Sequence, residues 1–129
     1  MPKAEESCIA LLSTTAIADM TAVAATELYT VPPGKTCILA FAWLKVTADM
    51  GANLAFTLGR STALTDWITL INGDNLDAAL DCIYIAPVPS ATPATLKEYA
   101  AGVIISLDLT VAGSAGAGTF YLFGFLDDA

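Results

Sequence analysis

The chain has 129 residues, 56% of them apolar and only 14% charged, with five basic against thirteen acidic side chains for a net charge of −8. Disorder is excluded, because disordered chains are rich in charge and poor in apolar residues. Nucleic acid and anionic membrane surfaces are excluded as partners, since both need clustered cations, and Lys3, Lys35, Lys45, Arg60 and Lys97 stand singly.

The chain begins "MPKAEESCIALLSTTAIADM", with Glu5 and Glu6 ahead of a short apolar segment and without the basic start of a signal peptide. Residues 8–13 read as a first short strand or an extended arm, and the Ala/Thr-rich 14–27 as an irregular crossing of a surface. We take 1–26 as an N-terminal arm with its first short strand, and 27–129 as the β-sandwich domain. Leu28–Val31 leads into "PPGK", where proline sets φ at about −65° and glycine accepts positive φ, which suits a tight turn.

Thr36–Thr47 follows as a long strand with a peculiarity. Successive side chains of a strand point to opposite faces. Strict alternation puts Cys37, Leu39, Phe41 and Trp43 on one face and Ile38, Ala40, Ala42, Leu44 and Val46 on the other, so both faces are apolar and both need cover. "LAFTLG" and "DWITLI" are further strands, closed by the turn-rich "NGDN". "LDAALD" suggests a helical turn, "CIYIAPVP" a strand ended by prolines, and Ala94–Tyr99 a short helix.

"VIISLDLTV" alternates cleanly, with Ile105, Leu107, Leu109 and Val111 facing inward and Ser106, Asp108 and Thr110 facing water. "TFYLFGFL" is again apolar on both sides, Phe120, Leu122 and Leu126 against Tyr121, Phe123 and Phe125. Leu109–Leu126 carries no charge over a length close to a membrane span, but "AGSAGAG" in its middle breaks a helix, so it reads as a hairpin. Short strands between Gly, Pro and Asn turns predict an all-β fold, an antiparallel β-sandwich of jelly-roll type with an extended N-terminal arm.

Chemistry is scarce. There is no histidine, hence no Ser-His-Asp or Cys-His arrangement. Ala112 occupies the first glycine position of a G-x-S-x-G elbow around Ser114. Asp74, Asp77 and Asp81 lack the spacing of a calcium loop and read as turn residues, caps or solvated charges. Trp67 and Tyr29 are expected to pack rather than stack on sugars. Cys8, Cys37 and Cys82 form no C-x-x-C and read as small hydrophobes, with a Cys37–Cys82 bridge open if their strands are neighbours. The expectation is a protein without catalytic residues, metal or cofactor.

"TELYTVPPGKTCIL", "LTDW", "LDAALDCIYIAPVP", "KEYAAGVIISLDLTV" and the closing "FYLFGF" together resemble small virion proteins of tailed bacteriophages, from about Thr26 to Leu126. Pro33 stands where alanine is more usual in that turn. The resemblance implies a structural β-sandwich made in the host cytoplasm and carried on the virion. Its role would be that of a capsid decoration (cement) protein, or of a tail or neck component, with a carbohydrate- or receptor-binding module as a further alternative. It also implies no cofactor, and as partners the major capsid protein and copies of itself, as a trimer. On the residues alone, strands apolar on both faces are covered either by loops of the same chain draped over their outer sides or, the reading we favour, by other subunits on assembly. The candidate lattice and subunit contacts are Ile9, Leu11, Phe41, Trp43, Tyr121, Phe123 and Phe125.

Overall fold

The computed structural model describes residues 8–21, 23–49, 54–72, 81–87, 98–113 and 115–129, with only the backbone of 69–72. The described residues form strands β1 (Ala10–Ile17), β2 (Ala25–Thr30), β3 (Lys35–Ala48), β4 (Ala55–Arg60), β5 (Ala63–Asn72), β6 (Cys82–Ile85), β7 (Glu98–Tyr99), β8 (Ile104–Val111) and β9 (Ala117–Asp128), and no helix. They make two antiparallel sheets packed as a sandwich. The front sheet runs β1-β9-β3-β6, with β7 also on β3, and the back sheet runs β2-β8-β4-β5.

Apart from the β4–β5 hairpin and the step from β6 to β7, each connection carries the chain from one sheet to the other. The core between the sheets is aliphatic and aromatic. Leu39, Leu44, Phe120 and Leu122 from the front meet Phe56, Leu58, Ile105 and Leu107 from the back, all essentially inaccessible to water.

The "PPGK" turn is the expected tight one. The Lys35 amide donates to the Pro32 carbonyl at 3.3 Å, and Gly34 takes φ 73°, the positive value that the third position of a type II turn requires. The chain thereby passes from β2 in the back sheet to β3 in the front.

Several expectations are corrected. The segment 109–126 is not a hairpin: β8 lies in the back sheet and β9 in the front, and the glycine-rich link crosses between them. That link is braced by buried Met20, whose amide donates to Gly116 and whose carbonyl accepts from Gly113. The irregular reading of 14–27 fails at both ends, which belong to β1 and β2. Glu98 and Tyr99 are strand rather than helix, while 94–97 and the predicted helical turn at 76–80 fall outside the described residues. Ser106, expected in water, is 2% exposed, and Val111, expected inside, is 45% exposed at the strand's end.

The most consequential correction concerns β3. Its register against β9 shifts between Leu39, opposite Gly124, and Phe41, opposite Phe123. Ala40 is the extra residue of a β-bulge, which reverses the alternation beyond it. The core face is therefore Cys37, Leu39, Ala42, Leu44 and Val46, all buried, and Phe41 and Trp43 leave the set to which Cys37 and Leu39 belong. A second bulge, between Leu11 and Ser13 in β1, lets Leu12 pack on the core. The Leu12 methyl fills the place beside Gly124, where a Cβ would come within 2.8 Å of it and within 2.7 Å of the Ile38 carbonyl oxygen. Cys37 and Cys82 do not pair: Cys37 is buried in the core and Cys82 is exposed opposite Lys45.

Candidate functional site: an aromatic sheet face

Cross-strand partners share a face, so the register fixes what the front sheet presents outward. One row is Thr14, Tyr121, Trp43 and Tyr84. The next is Leu11, Phe123 and Phe41, and beyond it Phe125 stands opposite Ile38. Ile9, one residue ahead of β1 and two before Leu11, continues this side and is exposed. Every candidate contact residue of the sequence thus belongs to a single face.

The rings touch. Phe41 stacks on Phe123 with centroids 4.7 Å apart and planes 20° from parallel, while Trp43 lies 4.7 Å and 56° from Phe123. Phe41 also contacts Trp43 at 6.0 Å and Tyr84 at 5.6 Å. Offset and tilted pairs of this kind contribute about 0.5–1.5 kcal/mol each beyond area burial. The patch is nevertheless open to water: Trp43 is 42% exposed, Leu11 50% and Tyr84 67%.

Tyr84 escaped the sequence reading. The alternation of "CIYI" carried the signal, since Ile83 and Ile85 turn toward the core and leave Cys82 and Tyr84 on the other side. The face ends in charge. Lys45 stands at one end, opposite Thr119 and Cys82. Glu98, opposite Ile38, and Asp127, opposite Thr36, stand at the other.

A polar cluster at one end of the sandwich joins the two sheets. Asp66 Oδ1 accepts from the Tyr99 hydroxyl at 3.0 Å and the Arg60 amide at 3.2 Å, and Asp66 Oδ2 pairs with Arg60 Nε at 2.9 Å. Burial, and then the Asp66 carboxylate, hold the Tyr99 hydroxyl well above the usual tyrosine range. Beside it lies an open groove of about 390 Å³ lined by Arg60, Ser61, Thr62 and Gly102. Its guanidinium is already engaged by Asp66. The arrangement ties the two sheets together through side chains that hold one another.

Among the described residues no group of acidic, Cys or His side chains is placed to hold a metal ion. Of the acidic residues singled out, Asp74 and Asp77 fall outside the described residues, and the Asp81 carbonyl accepts from the Val46 amide at 2.7 Å.

No protein-family model matches the chain, and no curated protein does. A solved structure does match: a chain of the acidic stable capsid structure of Helicobacter pylori bacteriophage KHP30 superposes with a TM-score of 0.54. The match covers 95% of this chain and 97% of that one at 11% identity. The two share a fold from end to end. Coverage that high in both directions makes the two sequences about equal in length.

Proposed function

We propose that this chain is a structural virion protein, a capsid decoration (cement) protein that binds the outer capsid lattice and stabilises it through apolar contacts. The observation that carries the reading is the open aromatic face of Leu11, Phe41, Trp43, Tyr84, Tyr121 and Phe123 on a chain with few charges. Contiguous apolar patches of that kind are rare on monomers and mark interfaces. Burying such a face yields about 25 cal/mol per Å² before association costs. Repetition over a symmetric lattice turns modest contacts into large avidity.

The end-to-end likeness to a chain of a phage capsid structure supports the same reading. So does the strand order, β1-β9-β3-β6 over β2-β8-β4-β5, which is what two interleaved Greek keys of a jelly roll produce. The partners on this reading are the major capsid protein and other copies of this chain, and the work is done by contact, without catalysis or cofactor.

Copy number tests it. Particles are purified and this chain is quantified against the major shell protein by mass spectrometry. Hundreds of copies per particle are expected of a lattice protein. A few to a few dozen would move it to the tail or neck, and none would overturn the virion reading.

A further inference from the structure

We infer that the aromatic face is self-complementary, and that a second copy of this chain packs on it face to face about a two-fold axis running across the strands. The inference rests on reading that face as a contact surface, and it names the occupant and the geometry.

Charge selects a second copy. The chain carries a net −8, so two copies meet favourably only where charge is sparse or complementary. This face is both. Its middle is uncharged, exposed Lys45 marks one end, and exposed Glu98 and Asp127 mark the other. Lys35 at the acidic end pairs with Asp128 at 2.6 Å. A two-fold across the strands reverses strand direction in the second copy. Each Lys45 then lies over the other copy's Glu98 and Asp127.

The position of the axis follows from the register. Midway along β3 between Lys45 and Ile38 come Phe41 and Ala42, at the ring cluster. An isologous contact requires the residues at its axis to pack on their own copies. The stacked Phe41–Phe123 pair would do so, with the Tyr121–Trp43–Tyr84 row of each copy meeting the Phe125–Ile38 row of the other.

Size agrees. Four strands at about 4.8 Å spacing, over the residues of β9 from Thr119 to Phe125 at about 3.3 Å each, give a face of about 19 by 23 Å. That is close to the roughly 500 Å² per partner which a specific interface needs as a minimum. Sheets packing at about 10 Å separation leave room for rings to interdigitate between them.

Sedimentation velocity on the purified chain at low ionic strength tests the inference, with circular dichroism confirming that each variant folds. A dimer at micromolar concentration is expected. Trp43→Arg should abolish it. Lys45→Glu, which sets like charges together twice per dimer, should weaken it about tenfold. Adding Glu98→Lys and Asp127→Lys to Lys45→Glu should restore it.

A trimer, or a dimer indifferent to the Lys45→Glu change, would overturn the proposed geometry. A strict monomer would overturn the proposal, and acrylamide quenching of Trp43 in a Trp67→Phe background would then say what takes the face. Accessible Trp43 would assign it to a different protein, and shielded Trp43 to another part of the same chain. The outcomes separate from the particle count: a dimer that is absent from particles retains this inference and sinks the virion reading. A strict monomer found in hundreds of copies per particle does the reverse.

Discussion

Asp66 illustrates how much a single side chain can hold. It sits on a back-sheet strand and receives the hydroxyl of Tyr99, a front-sheet residue, as well as the amide and guanidinium of Arg60. A hydrogen bond to a charged acceptor is worth about 1.5–3 kcal/mol. Tyr99→Phe removes one donor from a carboxylate that keeps its others, so a loss of about 1.5 kcal/mol is expected in urea unfolding. Thr57 presents the opposite case. It is 3% exposed, and its hydroxyl oxygen has no partner among the described residues. Thr57→Val removes a desolvated, unsatisfied group at constant shape, and a gain of about 1 kcal/mol is expected in the same measurement.

Among the elements, β3 organises the front sheet, pairing with β9 along its length and with both β6 and β7 on its other edge. The bulge at Ala40 decides which of its side chains reach the core. Because Leu39 and Phe41 face consecutive residues of β9, removing Ala40 leaves a regular ladder with every other side chain on its present face. Deletion of Ala40 is therefore expected to preserve cooperative thermal unfolding. Deletion of Ala42, two residues on and in register, also closes the ladder, but only by setting Ala40 opposite Phe123 and Phe41 opposite Leu122, which drives the Phe41 ring into the core place of Ala42. That variant is expected to melt well below the Ala40 deletion in calorimetry. The aromatic face depends on this bulge, since it brings Phe41 and Trp43 out beside Phe123 while Cys37 and Leu39 stay within.

The whole molecule should feel pH from the alkaline side. Burial pushes the Cys37 thiol from the usual 9.0 up to about 11, and burial with Asp66 raises Tyr99. Both groups hold their protons more tightly folded than unfolded, so their contribution is complete below pH 9 and is lost as pH rises through the folded values. The melting temperature is expected to be flat up to about pH 9 and to fall by pH 11, with a shallower fall in Cys37→Ala. Substitutions on the open face should behave differently. Tyr84→Lys changes a side chain that is 67% exposed and gives up one ring pair with Phe41, so folding stability should fall by no more than about 1.5 kcal/mol while binding to particles is lost. Thermal unfolding and co-sedimentation with stripped particles measure the two effects separately.

The sequence by itself determined the class of fold, because period-two apolar patterning and Gly/Pro turns report locally on strands and their limits. It also determined that Phe41, Trp43, Tyr121, Phe123 and Phe125 sit in strands too apolar for a one-sided sheet, which marked them as contact candidates. Tertiary structure decided what those residues make. A bulge is visible only against the partner strand, so strict alternation assigned Phe41 and Trp43 to the same face as Cys37 and Leu39. Sheet membership is likewise a matter of long-range pairing: the glycine-rich link looks locally like a hairpin turn, yet β8 and β9 lie in opposite sheets. Ser106 alternates as a water-facing residue and is buried all the same, because burial depends on what covers a strand as well as on the way a side chain points. The aromatic face itself gathers residues from β1, β3, β6 and β9, strands far apart along the chain. Only the antiparallel registers bring their side chains into one surface.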